Sequence, residues 1–143
     1  MSAKNWDRVP IDAQSIDAPL SQAAIFLVVT VGSEKTALAK VASVLEGLDD
    51  LVKTVGFRDL NGRLSCIAGI GRELWDRLDS KSRPGELKPF ARIKGPVHAA
   101  PATPGDLLFH IRAERVDLCF EFERLLLDSL GDSVTVEIGR AHV

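Results

Sequence analysis

The stretch AAIFLVVTV, at Ala23–Val31, decides the fold that this sequence predicts. It is a nine-residue run of mostly apolar, often β-branched residues, and it lies between Pro19 and Gly32. A run of this length and type favours a strand over a helix, because strands are short and β-branched side chains pack well on a sheet. We therefore expect this segment to be a buried central strand.

The segment that follows has the spacing of an amphipathic helix. Ser33 is the expected N-cap, because its hydroxyl oxygen can accept a hydrogen bond from an unpaired N–H of the first turn. Gly47 is the expected end of the helix. The apolar residues of the segment step by three and four along the chain, as one face of a helix requires. They are Leu38, Val41, Ala42, Leu45 and Leu48.

The next part of the chain is predicted to be a pair of strands and a short helix. LVKTVGFRDL (Leu51–Leu60) alternates in part and ends at Asn61-Gly62, a dipeptide typical of tight hairpin turns. RLSCIAGIG (Arg63–Gly71) is then the returning strand. ELWDRL (Glu73–Leu78) forms one or two helical turns.

Residues 79–105 carry no helical or strand period. Five prolines and three glycines are distributed along them. A stretch this long without regular structure is uncommon in a compact domain, and it is usually functional or packed against another element. We expect an irregular loop.

The C-terminal part predicts a strand, a helix and a strand. DLLFHIRAE (Asp106–Glu114) alternates, so its side chains point to opposite faces of a sheet. The helix is VDLCFEFERLLLDSL (Val116–Leu130), ended by Gly131, and SVTVEI (Ser133–Ile138) is the last strand. Leu107, Phe109 and Ile111 are expected on one face of the strand, and Leu108, His110 and Arg112 on the other. The expected apolar stripe of the helix consists of Leu118, Cys119, Phe122, Leu125, Leu126 and Leu130.

This order of elements predicts an α+β, ferredoxin-like (split βαβ) fold. Such a fold has four main antiparallel strands with two helices on one face. We expect residues 1–20 to be an extended lead-in, residues 21–137 to be the folded domain, and residues 138–143 to be a non-native tail. The helices leave one face of the sheet uncovered, and such a face usually meets a second domain or another subunit.

The composition excludes several classes of protein. The 143 residues are 45% hydrophobic and 27% charged, which is typical of a folded globular domain and not of a disordered chain. A formal net charge of −2 argues against a dedicated nucleic-acid binder. The sequence has no apolar window of about 18 residues, and its N-terminus lacks the apolar core of a signal peptide. We therefore expect a cytoplasmic protein.

The two cysteines, Cys66 and Cys119, lie far apart, each within an apolar run. We interpret them as two buried, reduced thiols of a cytoplasmic protein. The alternative is a structural disulfide between them.

Few residues in the sequence indicate a catalytic, metal-binding or cofactor-binding site. The histidines, His98, His110 and His142, have no second ligand at metal-binding spacing, so a zinc or iron site is not expected. We interpret His110 as a packed strand histidine and His98 as a solvated loop residue, with a binding role for His98 as the alternative. Gly69-x-Gly71 lacks the third glycine of a dinucleotide fingerprint, so we interpret it as a turn between a strand and a helix.

Two further groups have structural interpretations. Trp75 and Leu78 are expected to lie in the core. Arg112, Glu114 and Arg115 are expected to form a solvated strand end.

Several segments together resemble the N-terminal domain of the dye-decolorising (DyP-type) haem peroxidases. These segments follow the order of the family and extend over residues 20–136, nearly the whole chain. The resemblance implies a ferredoxin-like domain that faces a second such domain across a haem, which would cover the open face of the sheet. The segments are AAIFLVVTV, RLSCIAGIGRELWDRL, RPGELKPF, ATPGDLLFHIRAERVDLCFE (Ala102–Glu121) and LGDSVTV.

The resemblance also implies a reaction of haem b with hydrogen peroxide. In the family an aspartate and an arginine assist proton transfer and cleavage of the O–O bond, and a histidine ligates the iron. The aspartate belongs to a Gly-x-x-Asp-Gly motif, from which GFRDL (Gly56–Leu60) departs because Leu60 replaces the final glycine. We therefore assign no catalytic, cofactor-binding or metal-binding residue within this chain, and we expect no stable haem binding by it.

The last residues, EIGRAHV (Glu137–Val143), leave the family pattern and resemble translated adapter sequence, with a natural divergent tail as the alternative. The predicted function is that of the N-terminal part of a haem-dependent peroxidase that oxidises organic substrates with hydrogen peroxide. This part alone is expected to be inactive, and its partners are the second domain and further copies of the protein. The alternative is a free-standing ferredoxin-like module that dimerises through its uncovered sheet face.

Overall fold

The chain forms a four-stranded antiparallel sheet with helices on one face. The computed structural model describes residues 14, 16 and 18–142, and for residues 140–142 it describes the backbone alone. Most of the predicted lead-in, residues 1–20, lies outside the described residues. The elements are β1 (Ala23–Val31), α1 (Lys35–Glu46), α2 (Leu48–Gly56), a 3₁₀ turn (Leu60–Gly62), β2 (Ser65–Ile70), α3 (Arg72–Leu78), β3 (Ile93–Lys94), β4 (Ala99–Ala100), β5 (Leu107–Ala113), α4 (Val116–Leu130), a second 3₁₀ turn (Gly131–Ser133) and β6 (Val134–His142).

The main sheet has the strand order β2-β5-β1-β6, and each neighbouring pair is antiparallel. The two central strands are β1 and β5, whose register places Leu27 opposite Phe109. This order is that of a ferredoxin-like fold, so the predicted fold class is confirmed. β1 and α4 begin and end at the predicted residues.

The core lies between the sheet and the helices. Every second residue of β1 is buried, because successive side chains of a strand point to opposite faces. α4 packs against both central strands, and α1 packs against α4 and β1. The fully buried large side chains are Phe109, Phe122, Ile25, Leu27, Leu74, Leu107, Ile111, Leu126, Leu130, Val29, Val41 and Val55.

The prediction of a strand over Leu51–Leu60 is wrong, because the chain is helical from Leu48 to Gly56. The apolar residues in this segment repeat at intervals of three and four, so α2 presents one face to α4 and β2. Leu48 and Val55 are buried there, while Lys53 and Asp49 form an ion pair at 2.7 Å on the exposed side. The burial of this apolar face favours the helix more strongly than the partial alternation of the sequence favours a strand.

The predicted hairpin turn at Asn61-Gly62 is also wrong. These residues lie in a 3₁₀ turn in which the Asp59 carboxylate accepts a hydrogen bond from the Asn61 N–H at 3.1 Å. Gly62 packs against Leu118 of α4, and its carbonyl accepts a hydrogen bond from Glu114 N–H at 2.7 Å. The dipeptide therefore ends a helical segment and leads into β2.

Ser33 is not the N-cap of α1. The helix begins at Lys35 and its N-cap is Glu34, whose side chain makes no capping hydrogen bond. Ser33 lies one residue before this N-cap. The end of the helix at Gly47 is as predicted.

The long loop and the last strand differ from prediction in detail. Residues 79–105 are irregular apart from a two-stranded ladder of β3 and β4, closed by a hydrogen bond from Gly95 N–H to His98 O at 2.7 Å. β6 continues beyond Ile138 to His142 and pairs with β1 on both sides of a register shift at Val28/Val29. Backbone pairing accepts almost any residue type, so the interpretation of residues 138–143 as a non-native tail stays a prediction.

Candidate functional site on the uncovered face of the sheet

The face of the sheet opposite the helices carries side chains from all four main strands. The register places Phe26 beside His110 and His110 beside Ile67. In the adjacent row Val28 lies between Leu108 and Ile138. Leu108 and Ile138 are 42% and 43% exposed, so the patch is open to solvent in this chain. We call these six residues the central patch.

The rings of Phe26 and His110 are stacked at the centre of this patch. Their centroids are 4.4 Å apart and their planes differ by 13°. Burial, and then the Arg112 guanidinium on the same strand, lower the pKa of His110 below its ordinary value of 6.5. A neutral imidazole packed on a phenyl ring behaves as part of an apolar surface, and His110 is a packed strand histidine as predicted.

Arg112 closes one end of the uncovered face. Its side chain is buried, and Nη1 donates a hydrogen bond to Ala18 O at 3.3 Å. Residues 18–21 therefore pass over this end of the sheet, where they enclose a cavity of about 110 Å³ with Arg63 and Arg112. The prediction of a solvated strand end is wrong for Arg112, because the segment before β1 covers it.

Arg115 does lie in solvent as predicted. Its guanidinium bridges the carboxylates of Asp117 and Asp59, and Nη1 lies 3.1 Å from Asp59 Oδ2. These two carboxylates raise its pKa above the ordinary value. The bridge ties the start of α4 to the turn before β2.

Both cysteines are free thiols in the structure, as predicted. The predicted burial is confirmed for Cys119, whereas Cys66 is only half-buried, on the helix side of β2. Burial raises the pKa of the Cys66 thiol to about 12. Burial, and then the charges of Asp117 and Glu123, raise the pKa of Cys119 to about 11. Neither thiol is activated for nucleophilic chemistry, which requires a lowered pKa.

Two histidines and the predicted turn at Gly71 remain to be placed. His98 is exposed beside β4, and the structure describes only the backbone of His142. Gly71 N–H donates to Asp106 O at 2.8 Å, and a Cβ at Gly71 would lie only 3.0 Å from Gly105 O, so the predicted turn requires a small residue.

The short helix α3 packs on the core through the predicted Leu78, which is half-buried there, and through Leu74, which was not predicted and is fully buried. Trp75 is half-buried and is not part of the core. The Trp75 indole N–H donates to Ser82 O at 2.6 Å, which fixes the start of the long loop.

A second cavity, of about 540 Å³, lies between the long loop and the start of α3. Its walls carry two cations, Arg72 and Lys88, and two anions, Glu73 and Asp106. The Asp106 carboxylate is already engaged, because it accepts a hydrogen bond from Val31 N–H at 2.7 Å. Among the described residues that line this cavity there is no histidine.

Within the described part of the chain, no three His, Cys, Asp or Glu side chains are grouped closely enough to hold a metal ion. Among the same residues, no helix has both the length and the apolar character needed to cross a membrane.

Sequence reasoning missed the stack of Phe26 on His110 and the burial of Arg112. Both depend on which strands are neighbours, and residues 26 and 110 are brought together only by the pairing of β1 with β5. Alternation within a strand predicts which of its residues share a face of the sheet. It does not indicate that Phe26 of β1 and His110 of β5 point to the same face.

The sequence matches the family described as Dyp-type peroxidase, N-terminal, over residues 13–140. A dye-decolorizing peroxidase of Mycobacterium tuberculosis is 52% identical over 126 residues, which are 88% of this chain and 37% of that protein. A dye-decolorizing peroxidase of Brevibacterium linens is 52% identical over 123 residues, 86% of this chain and 33% of that protein. The chain thus spans about a third of the length of these relatives.

Solved structures show the same similarity in three dimensions. DyPB from Rhodococcus jostii superposes with a TM-score of 0.87 at 47% identity, covering 90% of this chain and 41% of that one. The encapsulated DyP-type peroxidase from Mycobacterium smegmatis superposes with a TM-score of 0.84 at 46% identity, also over 90% of this chain and 41% of that one. A match over residues 13–140, together with the shared fold, settles the family. The chain belongs to the DyP-type peroxidases and corresponds to their N-terminal domain.

Proposed function

We propose that this chain is the N-terminal domain of a haem-dependent peroxidase that oxidises organic substrates with hydrogen peroxide. The observation that carries the proposal is the family match over residues 13–140, with relatives at 52% identity. Haem b, hydrogen peroxide and the remaining two-thirds of the protein are then its partners, and the complete protein forms homo-oligomers.

The residues described in this chain do not fit a haem site. The His110 ring is stacked on Phe26 within the sheet face, and the second cavity has no histidine in its walls. His98 is exposed, and a loosely held surface imidazole lacks the neighbouring groups that orient a ligand and tune its metal. The group that binds haem therefore belongs to the part of the protein that this chain does not contain.

The domain contributes a surface in this proposal. The central patch offers aliphatic side chains around a neutral aromatic stack, which suits a permanent contact with another domain of the same protein. Arg112 and the segment at Ala18 border the patch and leave its centre accessible. The domain thereby holds its partner in place and adds no reacting group.

Co-expression tests the proposal. This chain is produced together with the part of the M. tuberculosis relative that it does not match. We expect the pair to purify with haem, seen as a Soret band, and to oxidise a dye with peroxide, whereas this chain alone shows neither above free haem. Leu108→Lys is expected to abolish both properties by placing a charge on the central patch.

Phe120→Lys is the matched control, because Phe120 is a large apolar residue exposed on α4, away from this face. Equal activity of the pair with Leu108→Lys and with Phe120→Lys contradicts the role of the patch. A tight one-to-one haem complex of this chain alone, lost in His98→Ala or His110→Ala, overturns the assignment of haem binding to the missing part.

The second candidate is a free-standing module that dimerises through the same face, and the exposure of Leu108 and Ile138 favours it. Genomic sequence beyond the codon for Glu137 separates the two. Continuation into a Gly-x-x-Asp-Gly segment and a later histidine supports the peroxidase, and an immediate natural stop codon supports the module.

We also propose that the protein resides in the cytoplasm. Two free thiols of raised pKa support this, because such thiols persist in a reducing compartment. Retention of both thiols in protein isolated under alkylating conditions is the expected result.

A further inference from the structure

The outer edge of β2 is bound by a side chain from the N-terminal segment. Among the strands that the structure describes, β2 is the last one on its side of the sheet, so one of its long edges pairs with no described strand. Gln14 lies against this edge. Its Nε2 donates a hydrogen bond to Ala68 O at 3.1 Å, and its Oε1 accepts one from Ala68 N–H at 2.7 Å.

This pair of bonds imitates a neighbouring strand. In an antiparallel ladder, a residue of one strand donates its N–H to the opposite carbonyl and accepts the opposite N–H. The primary amide of glutamine supplies the same donor and acceptor from a single planar group. Gln14 thus occupies on Ala68 the position that a residue of an added strand would take.

The composition of β2 explains why such a contact is needed. Its sequence, SCIAGI, contains no charged residue and no proline, the features that usually protect an edge strand from pairing with another chain. The opposite edge strand, β6, carries Glu137 and an irregular register against β1. β2 has an uninterrupted register against β5, so it presents a regular edge.

The path of the chain brings Gln14 to this edge. Residues 18–21 cross the end of the sheet, where Arg112 of β5 holds Ala18 O. Arg112 lies on β5, the strand next to β2, and Ala68 lies on β2 itself. Ala18 and Gln14 therefore make two separate contacts with neighbouring strands of the sheet.

We propose that Gln14 is an intramolecular clamp on the edge of β2, and that it prevents two copies of this chain from pairing through that edge. In this chain the Gln14 amide binds the edge of β2. It thereby blocks pairing with β2 of a second copy, because the same short uncharged strand can pair with itself in antiparallel register.

Amide exchange at Ala68 tests the clamp directly. Hydrogen exchange of the backbone of the 143-residue chain is followed by NMR at low protein concentration, in the wild type and in Gln14→Ala. We expect exchange at Ala68 to accelerate about 2- to 12-fold in Gln14→Ala, the factor that corresponds to the net contribution of one hydrogen bond. Gln22→Ala is the matched control, because it removes an exposed glutamine from the same segment.

Gln14→Glu provides a second, conservative variant. An ionised carboxylate can still accept from Ala68 N–H, but it repels Ala68 O, whereas a protonated carboxyl can donate to that oxygen. We expect protection of Ala68 in this variant to be weaker at pH 7 and to recover below about pH 4, near the ordinary glutamate pKa. Comparison with the wild type at each pH removes the intrinsic pH dependence of exchange.

Self-association tests the second half of the proposal. Sedimentation of Gln14→Ala and Gln22→Ala is compared at equal concentrations, so that association through the uncovered face contributes equally to both. Stronger association of Gln14→Ala supports the clamp. Unchanged exchange at Ala68, or equal acceleration in Gln22→Ala, overturns it. Faster exchange with equal association of the two variants overturns the claim that Gln14 keeps copies apart.

Discussion

Adjacent residues on β5 have opposite surroundings. The Phe109 side chain is fully buried against the helices, whereas Leu108 is 42% exposed on the central patch. Phe109→Ala is expected to lower the free energy of unfolding by about 3–5 kcal/mol, since it loses burial and leaves a cavity. Leu108→Ala is expected to cost less than about 1 kcal/mol. Urea unfolding followed by circular dichroism measures both, and a loss below about 0.5 kcal/mol for Phe109→Ala contradicts the central position of β5.

Gly62 lies where the turn before β2 approaches α4 closely. A Cβ at this position would overlap Cδ1 of Leu118, which is itself buried. Gly62→Ala is expected to destabilise the fold by about 1–3 kcal/mol, the usual cost of overpacking.

The control is Gly85→Ala, because a Cβ at Gly85 meets nothing within 4 Å. The Leu118→Ala background should reduce the cost of Gly62→Ala, since the overlapping methyl group is absent. An equal cost of Gly62→Ala in both backgrounds shows that another contact is responsible.

Among the elements, α4 and the segment after α2 are linked by an ion cluster centred on Glu121. Arg124 donates to this carboxylate from Nη2 at 2.9 Å, and Arg58 donates from Nη1 at 2.9 Å. Hydrogen bonds from Arg124 and then from Arg58 lower the pKa of Glu121 from 4.5 to about 2. The cluster therefore stabilises the folded chain only while Glu121 is ionised.

The pH dependence of stability follows from that lowered pKa. Because the folded-state pKa lies below the unfolded one, this contribution is complete above about pH 4.5 and is lost as the pH falls through about 2. Urea unfolding across this range should show a shallower decline in Glu121→Gln than in the wild type. Glu86→Gln, at an exposed loop position, should follow the wild-type curve. Parallel curves for all three proteins contradict the assigned role of Glu121.

Elements with a clear period and clear ends could be predicted from sequence, and α2 could not. The nine-residue run of β1 is rich in β-branched residues and favours a strand over a helix, and the apolar stripe of α4 extends over fifteen residues. In α2 the same residues fit a partial alternation and a helical spacing. Only the surface of α4 and β2, against which Leu48 and Val55 are buried, favours the helix.

At the scale of the whole molecule, the uncovered sheet face governs behaviour in solution. Leu108 and Ile138 are exposed beside the half-buried, stacked Phe26, so the described part of the chain leaves an apolar surface partly open to solvent. The purified chain is expected to bind a hydrophobic dye and to associate as its concentration rises. Leu108→Lys should weaken both effects and Phe120→Lys should not. Dye fluorescence and light scattering measure them, and a monomer without dye binding over a wide concentration range contradicts this expectation.

The sequence alone determined the family, the fold class and most elements, because hydrophobic periodicity and segments such as TPGDLLFHIRAER are local properties of the chain. No catalytic residue could be assigned from the sequence, because no recognised motif of catalytic or metal-binding residues occurs in it, and that assignment stays a prediction. The tertiary structure decided the stack of Phe26 on His110, the burial of Arg112 and the contact of Gln14 with Ala68. Each of these joins residues more than fifty positions apart, and only the order of strands in the sheet places them within hydrogen-bonding or van der Waals distance.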